Sequence, residues 1–193
     1  MSTEVKSFPD LARDFAAAVD GAKTSVTTLP FVSLQFTALL GHKAETDDDK
    51  RHLTGLLAGL LVSWLTGCSS VKCNGEFRDA PELLNPLMDA LQAQQALPFI
   101  PPGDVQKIAD ACIALAQNGP GLLAKAGPDD DSASSTALRK QNREALLELT
   151  QRTLDFANKC KEFREGLNFD PKTSKDIAPV KRIELRAGAN ANG

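Results

Sequence analysis

Charge is missing from two long stretches of this chain, and the spacing of large side chains inside them predicts helices. The longer stretch, Leu53 to Val71, lies between Lys50-Arg51-His52 and Lys72 and reads LTGLLAGLLVSWLTGCSSV. Leu53, Leu56, Leu57, Leu60, Leu61, Trp64 and Leu65 form one helical ridge, closed by the single tryptophan of the chain. Gly55, Ala58, Gly59, Ser63 and Thr66 fall opposite, and Gly55 to Gly59 is a GxxxG. A helix with a bulky side, a small side and no charge is expected to have neighbours all round, the glycines admitting one of them closely. Residues 53–66 are therefore expected at the centre of the fold.

The second stretch, Thr24 to Gly41, is equally free of charge. Pro30 is expected to divide it and leave a helix ~18 Å long at 1.5 Å per residue. Its apolar positions are Val32, Phe36, Leu39 and Leu40, and Gly41 ends it. Glu45, Asp47, Asp48 and Asp49 then suit the positive end of the next helix and mark a water-exposed turn. Residues 30–66 thus read as an antiparallel hairpin. Upstream, Ser7-Phe8-Pro9-Asp10 reads as a capping box, with Leu11, Phe15, Val19 and Ala22 behind it at helical spacing.

Downstream, Asp79, Pro81 and Glu82 open a helix with Leu84, Leu87, Met88 and Leu91 inward, which Asn85-Pro86 is expected to kink or restart. Leu97 to Gly103, containing Pro98, Pro101 and Pro102, reads as a non-helical crossover. Asp104 should cap a helix through Val105, Ile108, Cys112 and Leu115, with Asn118-Gly119 as its stop. Pro128 to Ser135 reads as a flexible acidic loop. The last helix, Thr136 to Leu167, would span ~48 Å. On it Leu146, Leu149, Thr153, Phe156, Cys160, Phe163 and Leu167 alternate by three and four, a single-sided seam of coiled-coil type.

The expected fold is all-α: an antiparallel bundle of about six helices around residues 53–66, with a long C-terminal helix over 136–167. Residues 1–169 read as one domain and 170–193 as a polar, weakly basic tail. With 193 residues, the chain has ample length for a core.

Composition narrows the function classes. The net charge is −3, so no general basic field draws the chain to nucleic acid or anionic lipid. Nine Phe, one Trp and no Tyr leave little for base or sugar stacking. The N-terminus lacks a cationic start followed by an apolar run, so no signal peptide is expected. The four cysteines (Cys68, Cys73, Cys112, Cys160) then read as thiols of an intracellular, cytoplasmic protein.

Candidate chemistry is sparse. Cys68 and Cys73 have no second ligand pair, and His42 and His52 flank an exposed acidic turn, so no metal is expected. No GxSxG, Walker or dinucleotide motif is present, and no cofactor is expected. A non-enzymatic role follows as the expectation: a helical scaffold, adaptor or self-assembling subunit, meeting a protein partner or its own copies. Its contacts would lie where the seam of the last helix outruns the core, at Phe156, Cys160, Phe163 and Leu167.

Two other readings use other residues. Leu53–Val71 approaches the length of a membrane span, and a membrane-active or apolar-ligand-binding protein would use the hairpin 30–66 through Leu56, Leu60 and Trp64. Arg139, Lys140 and Arg143 place three cations at the start of the last helix, against its macrodipole. A filament or coat-type subunit would meet nucleic acid there. A four-helix core of this size with an added peripheral helix is loosely similar to the coat subunits of rod-shaped viruses, without a motif specific to them.

Overall fold

The helices run Phe8–Ala22 (α1), Leu29–His42 (α2), Asp47–Ser69 (α3), Ala80–Gln92 (α4), Pro102–Leu123 (α5) and Ala133–Gly166 (α6), with 3-10 turns at Val26–Thr28 and Leu97–Phe99. They belong to a computed structural model that describes residues 6–69, 77–124 and 132–166, and no strand occurs among these. The tail from 170 and the end of the seam at Leu167 lie outside the described residues.

Local chemistry sets several helix ends. Thr46 and Asp49 form a reciprocal cap on α3: the Asp49 amide donates to Thr46 Oγ1 at 3.1 Å, and the Thr46 amide to Asp49 Oδ2 at 3.4 Å. Asp47, Asp48 and Asp49 fill the first turn, where the helix dipole favours anions. Ser7 flanks α1 as expected, but its hydroxyl donates to the Asp10 carboxylate at 2.5 Å and not to a capping backbone group. The Ser132 hydroxyl accepts from the Ser135 amide at 3.2 Å, so α6 starts at Ala133, inside the expected loop.

Leu97 to Pro101 form the expected crossover, but Pro86, Pro102 and Pro120 lie within helices. Pro102 opens α5 in its first turn, where its missing N–H costs no helical hydrogen bond. Pro86 sits inside an unbroken α4, and its carbonyl accepts from Ser33 Oγ of α2 at 2.7 Å. Asn118-Gly119 does not stop α5, which continues through Pro120 to Leu123. Gly119 serves packing instead: a Cβ built there would lie 2.4 Å from Leu146 Cδ2.

Cross-contacts fix how several helices lie against one another. Trp64 Nε1 donates to the Ala22 carbonyl at 3.2 Å, tying the last third of α3 to the end of α1. Cys112 meets Thr150, and Gly119 meets Leu146, so α5 and α6 are antiparallel. Asn85 meets Glu148, Asp89 meets Arg152 and Gln92 meets Lys159, so α4 and α6 run parallel.

The core forms around α3 as expected. Leu53, Leu57, Leu60, Leu61 and Leu65 have no accessible surface. Phe15 and Val19 of α1, Phe36 of α2, Leu87 and Met88 of α4, Val105 and Ile108 of α5, and Leu149 and Phe156 of α6 join them in one apolar cluster. Burying each leucine is worth roughly 1.5–3 kcal/mol.

The small side of α3 corrects an expectation. Gly59, Ser63 and Thr66 are exposed and Gly55 is half-buried, and a Cβ at either glycine would meet nothing within 4 Å. The two glycines of the GxxxG admit no close neighbour, and of the small side only Ala58 reaches the core. Low bulk without charge fits an open face as well as a close contact.

The two kinds of glycine should respond oppositely to alanine. Gly59→Ala gains helix propensity without a clash and is expected to add about 0.5–1 kcal/mol, raising Tm by roughly 2–4 °C per kcal/mol. Gly119→Ala must displace Leu146 from a filled core and is expected to lose about 1–3 kcal/mol. Thermal unfolding followed by circular dichroism checks both signs.

Candidate interaction surface

Helix α2 is apolar on both sides. Its inner face, Val32, Ser33, Phe36, Leu39 and Leu40, is buried, as the spacing predicts. The Phe36 ring lies 6.0 Å from that of Phe15, and the Ser33 hydroxyl is held by the Pro86 carbonyl. These contacts fix the rotation of the helix. Its outer face is then Pro30, Phe31, Leu34, Thr37, Ala38 and Gly41, all exposed.

Phe31 is 61% and Leu34 70% exposed, the two large hydrophobic side chains so placed among the described residues. A single exposed leucine is ordinary on a protein surface. Here two large side chains lie one turn apart on a stripe with no charge along its length. The Thr37 hydroxyl donates to the Ser33 carbonyl at 3.1 Å, so even the polar member has its donor satisfied within the helix. Sequence spacing missed this face because Val32, Phe36, Leu39 and Leu40 already accounted for a helical stripe. The signal was there in the absence of charge from Thr24 to Gly41.

The face expected on α6 is placed differently. Phe156 has no accessible surface and Cys160 has 2%, while Phe163 is half-buried against the core. Ala145, Thr150, Thr153, Leu154 and Ala157 are buried as well. The buried side of α6 is wider than one seam because α4 and α5 both pack along it. The expectation that the seam outruns the core therefore fails at Phe156 and Cys160.

The residues of the other readings are dispersed or engaged. Leu60 is fully buried, Leu56 and Trp64 are half-buried, and Trp64 is hydrogen-bonded to Ala22. No helix among the described residues is long and apolar enough to cross a membrane. Arg143 is exposed, Arg139 is half-buried, and Lys140 lies 3.9 Å from Glu144. A groove of about 390 Å³ beside them is lined by Arg78, Glu82, Asn85, Glu144 and Glu148, and the Asn85 amide donates to Glu148 Oε1 at 3.0 Å. The start of α6 thus presents carboxylates among its cations, a poor field for phosphate. His42 and His52 are exposed at either side of the α2–α3 turn. No three His, Cys, Asp or Glu side chains among the described residues are grouped as a metal requires.

Cys68, Cys112 and Cys160 are thiols. Cys112 donates to the Thr150 carbonyl at 3.1 Å. Burial pushes this thiol up to about 12; the Leu154 backbone opposes the shift and the charge of Asp155 adds to it. A cysteine in that state is a structural group and a poor nucleophile.

Compared with protein-family models, curated proteins and solved structures, the chain gives no significant match to any of them.

Because the folded Cys112 thiol keeps its proton to about 12 against an ordinary value of 9.0, the folded state binds more protons across that window. Its contribution is complete below pH 9 and declines as pH rises toward 12. Urea midpoints should fall less steeply with pH over this range in Cys112→Ala than in the natural chain. In native protein at pH 8, Ellman's reagent should modify half-buried Cys68 well before Cys112.

Proposed function

We propose that the protein is a non-catalytic helical subunit, a scaffold, adaptor or self-assembling component, that works by contact with another protein surface. The working surface in this reading is the outer face of α2 and not the seam of α6. The observation that carries it is the exposure of Phe31 and Leu34 on a charge-free stripe, while the other large apolar side chains among the described residues are largely sheltered. Covering both would add roughly 1.5–3 kcal/mol for each side chain fully buried. An intracellular location is part of the proposal, since free thiols are the usual state of cysteines in a reducing compartment.

A photo-crosslinking amino acid at position 34, in the full chain within its own cells, tests the reading. It should give a discrete protein adduct, whereas the same group at exposed Glu162 on α6 should not. An adduct at 162 alone would return the working surface to α6 and defeat the proposal. The membrane-active alternative predicts that the chain pellets with phosphatidylcholine–phosphatidylserine vesicles. We expect it to stay in the supernatant. Leu34→Asp, at a surface position, should change stability by no more than about 0.5 kcal/mol, so any lost contact would reflect the face and not the fold.

A further inference from the structure

Resting on that reading of α2, we infer that the partner is a second copy of this chain, with the two α2 helices packed antiparallel about a two-fold axis passing near Phe36. The first support is the spacing. Phe31, Leu34, Ala38 and Gly41 stand three, four and three residues apart, the alternation of a helix built to pack against a helix. All four are exposed.

The second support is size. Along the stripe the side chains shrink in order, from Phe31 through Leu34 and Ala38 to Gly41. Reversing one copy about a point near Phe36 sets Phe31 against Gly41 and Leu34 against Ala38. Each of the four layers so formed holds one large and one small residue, the condition for two surfaces to interdigitate without void or clash. A parallel pair would instead set Phe31 on Phe31 and Gly41 on Gly41, crowded at one end and empty at the other. The space over Gly41 is vacant in the folded chain: a Cβ built there meets nothing within 4 Å.

Charge and desolvation point the same way. The chain carries a net −3, so a face bearing acidic residues would repel its copy. The stripe has no charge to bring together, and antiparallel α2 helices oppose their dipoles favourably. The Thr37 hydroxyl, next to the axis, already donates to Ser33, so covering it strands no donor. The stripe from Phe31 to Gly41 is only ~15 Å long. It fits an isologous, reversible dimer and not an obligate one.

Sedimentation equilibrium of the full chain between about 1 μM and 1 mM, with three sets of variants, tests the inference. The natural chain should form dimers reversibly, and Leu34→Asp should weaken them roughly a hundredfold. Gly41→Leu adds apolar surface without an internal clash, so a merely sticky face would associate more tightly. The pairing proposed here requires the opposite, since the leucine occupies the place of the partner's Phe31. With Cys68 and Cys73 replaced by serine, Phe31→Cys should form a disulfide with Gly41→Cys when the two are mixed, and little with itself.

A chain that stays monomeric throughout overturns the second copy as partner, while the working face would stand or fall by the crosslink at position 34. Dimers indifferent to Leu34→Asp overturn α2 as the interface between copies. Tighter association of Gly41→Leu, or self-linkage of Phe31→Cys, overturns the antiparallel pairing alone.

Discussion

The removal of five leucines of α3 from water is the interaction on which the remainder of the structure depends. Leu53, Leu57, Leu60, Leu61 and Leu65 are each fully buried, and every other helix contributes to the cluster that covers them. At roughly 1.5–3 kcal/mol apiece, they outweigh the polar contacts of the surface. Most ion pairs among the described residues are exposed, as in Arg51–Asp48 and Lys140–Glu144, and such pairs typically contribute about 0–1 kcal/mol. Apolar burial drives the assembly. A few polar contacts then choose among its possible arrangements: Trp64 to Ala22, Ser33 to Pro86, and Cys112 to Thr150.

That division of labour explains where the exposed apolar surface lies. The leucine ridge gathers helices against α3, and α2 takes its place there with only its inner face in use. Its outer stripe carries neither charge nor cover. The much longer α6 has α4 along one flank and α5 along the other, so its apolar positions are consumed within the chain. Length suggested that α6 would keep an open apolar face; its neighbours close that face at Phe156 and Cys160.

Much of the fold was legible in the chain. The six helices, the inward positions of α2 and α4, the acidic start of α3 and the central leucine ridge all follow from spacing and capping chemistry. The misreadings cluster at Gly and Pro. Gly119 is a contact with Leu146 and not a stop, Pro102 starts a helix instead of excluding one, and Gly55 and Gly59 admit no close neighbour. A glycine states only that a side chain is missing. Whether a neighbour fills that space is a property of another part of the chain.

The sequence by itself determined which segments are helical, which of them must be sheltered, and that α2 bears no charge on any side. Only the tertiary structure decided that the stripe through Phe31 and Leu34 is the uncovered one, and that Phe156 and Cys160 are interior. The physical reason is that periodicity records how each helix avoids charge around its own axis. Burial depends on how many helices reach each side of that axis, and that is settled only when all six pack together.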